Sequence, residues 1–161
     1  MTSTVVLYQR PSGQIVDDIV QIATLLTQQW FTPNVPEDTR RDLLPQEAFC
    51  LYVEDRLRSF LAFTSWDGCI HITLMGTHPD YHGRGWGSCL MERFLQHARD
   101  VGFDRAVVWV VPPDVKPAYQ STIAFYQKHG FVITRRYHEL WESGAVELVR
   151  TLSPSDPKPK H

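Results

Sequence analysis

The chain has 161 residues, 43% hydrophobic and 21% charged, a length that fits one domain well, two poorly, and buries a core without staples. With 16 Lys+Arg against 18 Asp+Glu and a formal net charge of -2, it lacks the basic field of a protein that works on the nucleic-acid backbone. Three widely spaced cysteines (50, 69, 89) make neither a disulfide framework nor a CxxC zinc pair, and the apolar run 106–111 is too short to cross a bilayer, so a cytoplasmic protein with no membrane partner is expected.

Residues 4–8 read as an opening strand. After Pro11-Ser12-Gly13 the period changes: Ile15, Ile19, Ile22 and Leu26 recur at helical spacing, which predicts a helix over 12–29. Residues 31–46 hold Pro33, Pro36 and Pro45 among charges, and read as a loop with one helical turn near 37–43. Long loops in compact domains are often binding loops or lids.

An antiparallel meander follows, with strands at 49–53, 57–65 and 70–75 and turns at 54–56 and 66–68. In the third strand Ile70, Ile72 and Leu74 alternate with His71, Thr73 and Met75, predicting one buried and one semi-polar face. A glycine-rich stretch over 79–87 leads into a helix whose stripe (Leu90, Met91, Phe94, Leu95, Ala98, Val101) stops at Gly102. The apolar run from Arg105 to Val111 suits a central strand reached by a helical crossover. Three prolines follow it, then a helix over 119–129 and strands at 131–138 and 145–150. Residues 1–152 thus read as a single α+β domain, and 153–161 as a flexible tail.

The chemistry concentrates at Thr77-His78-Pro79-Asp80-Tyr81-His82-Gly83-Arg84-Gly85-Trp86-Gly87. Glycines at alternate positions let backbone N–H groups close around an anion, and the helix that follows brings unpaired N–H groups and a positive dipole end. No Gly-Lys-Ser/Thr ends the loop, and the dinucleotide spacing is missed by one residue. A glycine turn of purely structural use has the same spacing.

The loop His82-Gly83-Arg84-Gly85-Trp86-Gly87, with Pro79 and Tyr81 before it, resembles the acyl-CoA pyrophosphate loop of the GNAT acetyltransferase superfamily. Downstream, Ile123-Ala124-Phe125-Tyr126-Gln127-Lys128-His129-Gly130-Phe131 resembles that family's fourth-helix motif. Both motifs lie in the family's order, and the resemblance covers residues 4–151. Two positions depart from it: His82 stands where Gln or Arg is usual, and Tyr119 where asparagine is common.

The resemblance implies a mixed, mostly antiparallel sheet of about seven strands with a splayed parallel pair and helices on both faces. It implies acetyl-CoA as acyl donor, cradled by the loop from His82 through Gly83, Arg84, Gly85, Trp86, Gly87 and Ser88. The backbone of Leu74, Met75, Gly76 and Thr77 would pair with the pantetheine arm, Gly76 leaving room for it or marking a bulge. Tyr126 is implied as proton donor to the departing thiolate, with Tyr119 near the coenzyme's reactive end. For a base the candidates are His71 and His78, with Glu54 more remote, and an amine that arrives neutral needs none. No metal is expected, since the segment carrying His78 and His82 is not helical, and Cys89 reads as core rather than nucleophile.

The acceptor is expected to be a small-molecule amine, met by carboxylates and aromatic residues (Trp30, Phe31, Glu37, Asp38, Asp42, Trp66, Trp109, Tyr119, Trp141), with Arg40 and Arg41 among them. The alternatives are a lysine or N-terminal amine of a protein, or an acyl-CoA-binding module without turnover. A homodimer is a further expectation.

Overall fold

A computed structural model describes residues 2–27, 33–43 and 46–152. Seven strands form one sheet in the order β1-β2-β3-β4-β5-β7-β6. The strands are β1 (Ser3–Tyr8), β2 (Glu47–Val53), β3 (Arg56–Trp66), β4 (Cys69–Thr77), β5 (Arg105–Val110), β6 (Val132–Tyr137) and β7 (Ala145–Thr151). The helices are α1 (Gln14–Leu26), α2 (Val35–Asp42), α3 (Trp86–Val101) and α4 (Tyr119–Lys128). Only β4 and β5 pair in parallel, Cys69–Ile72 against Arg105–Val108, while β1–β2, β2–β3, β5–β7 and β6–β7 pair antiparallel. The expected mixed sheet with one parallel pair is therefore present. No helix among the described residues is long and apolar enough to cross a membrane.

The packing divides into two compact units, Met1–Thr64 with Thr73–Glu92, and Ser65–Ile72 with Arg93–His161. Their boundaries fall inside β3, β4 and α3 rather than in linkers. In the first unit, α1 buries Val16, Ile19, Ile22, Ala23 and Leu26 against Ala48 and Cys50 of β2 and Phe60 and Ala62 of β3. Each large side chain buried this way contributes about 1.5–3 kcal/mol. The β2–β3 turn places Glu54 and Asp55 at φ 52° and 65°, and the β3–β4 turn places Asp67 and Gly68 at φ 53° and 74°. Paired positive φ values are the primed-turn geometry that suits right-twisted strands.

Two sequence expectations change. Residues 35–42 form a full helix instead of a loop with one turn. Pro36 sits in its first turn, where the missing N–H has no intrahelical acceptor to lose. Asp17 of α1 accepts from Arg40 of α2 at 2.7 Å. On β4 the alternation disappears at its start, where Cys69, Ile70, His71 and Ile72 are all buried. His71 is shielded by aromatic rings rather than lying on a semi-polar face.

In the second unit β5 buries Ala106, Val107, Val108 and Val110 and leaves Trp109 half-buried. Phe131 is buried just ahead of β6, with its ring 5.5 Å from that of Tyr126. The predicted helix end at 28–29, the acceptor-wall residues Trp30 and Phe31, and the tail 153–161 lie outside the described residues.

Candidate active site

The glycine loop begins where β4 ends. The His78 amide donates to the Arg58 carbonyl at 2.7 Å, and Pro79–Tyr81 make a single tight turn. That turn is capped by His78, whose Nδ1 accepts from the Asp80 amide at 3.2 Å. His82 folds back so that its Nε2 meets the Thr77 carbonyl at 2.6 Å, which requires the proton on Nε2. Placed where Gln or Arg is usual, His82 thus ties the loop to the end of β4.

Gly83 and Gly85 adopt φ 76° and 80°, and a Cβ at either would meet nothing within 4 Å. Their backbone conformation, not crowding, calls for glycine. α3 starts at Trp86, and its first intrahelical bond runs from the Cys89 amide to the Gly85 carbonyl at 3.0 Å. The amides of Trp86 and Gly87 therefore have no acceptor within the helix, which suits an anion.

Around Tyr81 the loop collects positive charge. The guanidinium carbons of Arg58 and Arg84 lie 4.5 and 5.1 Å from its ring centroid, and the His78 ring meets it edge-on at 5.6 Å. Neither arginine has a carboxylate partner among the described residues. Burial, and then the charge of Arg58, hold the His78 imidazole below its ordinary 6.5.

Gly76 answers a question the sequence leaves open. A Cβ there would stand 2.6 Å from Leu26 Cδ1 and 3.1 Å from Phe60 Cε1, so the residue is glycine because α1 and β3 press on it. Room for a ligand's backbone is not the reason. Its carbonyl accepts from the Ser59 hydroxyl at 3.2 Å, and Ser59 Oγ lies 2.8 Å from Thr77 Oγ1. Parallel pairing of β4 with β5 stops at Ile72 and Val108, so the stretch from Thr73 to Thr77, with Leu74 and Met75, lies beyond it.

The other candidates sit in the second unit. Tyr119 and Tyr126 are two turns apart on one face of α4. Burial pushes the Tyr119 hydroxyl up to about 12. The Tyr126 hydroxyl is driven well above the ordinary tyrosine value, by burial first and then by Tyr119. Its ring is fixed edge-on between Phe125 at 5.6 Å and Phe131 at 5.5 Å. Such a phenol stays protonated at neutral pH, as a proton donor must.

His71 stacks on Trp66 at 3.7 Å and 20°, and meets Trp109 edge-on at 6.0 Å. Burial lowers its pKa below 6.5; the charge of Glu147 opposes this and Arg105 adds to it. Trp109 in turn lies 6.4 Å from Trp66 and from Trp141, and 6.1 Å from Tyr137. Under these rings lies Glu147, opposite Trp109 in the β5–β7 register. Its carboxylate accepts from Trp109 Nε1 at 3.0 Å, Thr134 Oγ1 at 2.8 Å and the Tyr137 hydroxyl at 3.1 Å. Arg135 lies 3.7 Å away. Burial pushes the Glu147 carboxyl up, but these hydrogen bonds and the Arg135 charge outweigh it and hold it below the usual carboxylate range.

The sequence reading missed Glu147, Tyr137 and Thr134. A signal was available: Glu147 is the one charge within the otherwise apolar Ala145-Val146-Glu147-Leu148-Val149. The remaining candidates are placed apart from these groups. Glu54 is at the exposed tip of the β2–β3 hairpin, and Cys89 is a half-buried thiol on α3. Among the described residues no cluster of three or more metal-ligating side chains occurs.

Comparisons with known proteins bear on the family and the fold. Residues 16–131 match the model of the acetyltransferase (GNAT) family, well over half of the chain. No curated protein sequence matches significantly. Among solved structures, a protein assigned to the GNAT acetyltransferases from Desulfovibrio desulfuricans superposes with a TM-score of 0.79 at 12% identity, over 93% of this chain and all of that one. The ribosomal-protein-S18-alanine N-acetyltransferase of Escherichia coli gives 0.75 at 14% identity, over 99% of this chain and 100% of that one. A GNAT acetyltransferase from Elizabethkingia anophelis with acetyl-CoA bound gives 0.73 at 16% identity, over 93% and 98%. At such identities the superpositions speak for the fold, and the sequence model speaks for descent. The chain belongs to the GNAT acetyltransferase family, enzymes that carry the acetyl group of acetyl-CoA to an amine.

Proposed function

We propose that this enzyme acetylates the primary amine of a small molecule, in one direct transfer from acetyl-CoA. The amine nitrogen attacks the thioester carbon, a C–N bond forms through a tetrahedral oxyanion, and the C–S bond breaks. Tyr126 donates its proton to the departing thiolate; burial keeps the phenol protonated up to that step while making it a weaker acid than an exposed tyrosine. Backbone amides of β4 near Met75 and Gly76 support the developing negative charge. His71, whose pKa burial lowers below the ordinary 6.5, takes the proton the ammonium must lose; His78, lowered by burial and by the charge of Arg58, is the second candidate.

The observation that carries the acceptor reading is the ionised Glu147 beneath Trp109 and Tyr137, with Trp66 and Trp141 roughly half exposed beside Trp109. Aromatic rings beside a fixed carboxylate attract an organic cation, which favours a small amine as acceptor. The Escherichia coli neighbour acts, by its name, on a protein's alanine, so the test includes that class. Thiol release from acetyl-CoA is followed with a panel of aliphatic and aryl amines and with peptides bearing a free N-terminal amine or lysine. Acceleration by small amines is expected, and Glu147→Gln should raise their KM by about tenfold while leaving the KM for acetyl-CoA unchanged. Acceleration by peptides alone would overturn the small-molecule reading.

A further inference from the structure

Among the described residues two buried side-chain nitrogens have no hydrogen-bond partner, Arg58 Nε and Trp86 Nε1. Both are donors, and both belong to the glycine loop's surroundings. Trp86 opens α3 immediately after Gly85. Arg58, on β3, accepts the amide of His78 at its carbonyl and lays its guanidinium over the Tyr81 ring. A buried N–H without an acceptor is costly, and a water or ion that supplies the acceptor is one way native structures resolve it. One of these donors belongs to Arg58 itself, which with Arg84 lies against one tyrosine, and neither arginine has a carboxylate partner among the described residues. Donors and positive charge are both in surplus, and acceptors and negative charge are both short. A phosphate group, with several acceptor oxygens and a negative charge, corrects both at once.

We infer that Arg58 and the Trp86 indole N–H bind a phosphate of the acyl-CoA substrate, adding a contact from β3 to the backbone cradle of the loop. Arg58 lies 20 residues or more before the glycines, outside the loop motif. The inference rests on the loop reading, because it requires acetyl-CoA to lie along residues 82–88. The coenzyme carries two phosphate sources, the diphosphate and the 3′-phosphate on its ribose, and the chemistry of Arg58 serves either.

Titration calorimetry with acetyl-CoA and with its 3′-dephospho form, on wild type, Arg58→Gln, Arg58→Lys and Trp86→Phe, tests the inference. Arg58→Gln should weaken acetyl-CoA about tenfold or more, Arg58→Lys should recover part of the loss, and Trp86→Phe should weaken it by about three- to tenfold. A loss of equal size with the dephospho form assigns Arg58 to the diphosphate, and a loss confined to acetyl-CoA assigns it to the 3′-phosphate; either supports the inference. S-acetylpantetheine, which has no phosphate, separates binding from structure: its kcat/KM should be the same in wild type, Arg58→Gln and Arg58→Lys. Unchanged acetyl-CoA affinity in Arg58→Gln, or an equal loss with S-acetylpantetheine, would overturn the inference while leaving the loop reading intact. A wild type that fails to bind acetyl-CoA would instead overturn the loop reading itself.

Discussion

Gly76→Ala separates two explanations of one residue. Its new methyl would begin 2.6 Å from Leu26 Cδ1 and 3.1 Å from Phe60 Cε1, while its backbone φ needs no glycine. Leu26 is 3% exposed and Phe60 0%, so neither has solvent to move into. Overpacking of this kind costs about 1–3 kcal/mol, which for a chain of this size lowers Tm by roughly 2–12 °C. Thermal unfolding by circular dichroism measures it, alongside calorimetric titration with acetyl-CoA. Leu26→Ala alone should cost about 2–5 kcal/mol through the cavity it leaves. In the double variant the added methyl partly fills that cavity, so the combined loss should fall short of the sum by about 0.5–3 kcal/mol. Additivity within about 0.5 kcal/mol, or lost acetyl-CoA affinity at an unchanged Tm, would refute the packing argument and return Gly76 to the ligand.

Tyr126→Phe should lower kcat by about 10²–10⁴-fold with little change in acetyl-CoA affinity, since the proton matters only as the thiolate leaves; equal steady-state turnover removes Tyr126 from the mechanism. Gly85→Ala adds a methyl that touches nothing but must hold φ 80°, a strain of about 1–2 kcal/mol. Calorimetry should show acetyl-CoA binding weakened by up to about tenfold, and an unaltered Kd would mean the loop's left-handed backbone is not used. Burial keeps His71 and His78 neutral below pH 6.5, so as pH falls through 6.5 the unfolded chain takes up protons first and the fold loses stability that is fully present above that pH. Tm should therefore decline below pH 6.5. The acidic limb of kcat/KM should likewise fall below 6.5 and be lost in His71→Gln, and a profile that does not change excludes His71 as the base.

Most of the architecture is legible along the chain because its signals are local. Ile19, Ile22 and Leu26 repeat at helical spacing, Asp67-Gly68 demands a primed turn, and the glycines at 83 and 85 take left-handed φ values whatever surrounds them. Short-range sterics and burial periodicity act over a few residues, so the order of elements and the glycine turn ahead of α3 can be read without coordinates. The extent of α2 is not legible in the sequence, because a proline's effect depends on its place in the helix, and Pro36 falls in the first turn.

What only the tertiary structure decides is which distant residues share an environment. Gly76 is pressed by a leucine from α1, 50 residues earlier. His71 becomes a shielded, neutral imidazole because Trp66 and Trp109 close over it. Glu147 looks like a stray charge in an apolar strand until the β5–β7 and β6–β7 registers bring it Trp109, Thr134 and Tyr137 as donors. Desolvation and hydrogen bonding act over a few ångströms of space, whatever the distance along the chain. The acid–base character of these side chains is therefore a property of the folded neighbourhood and not of the residue type.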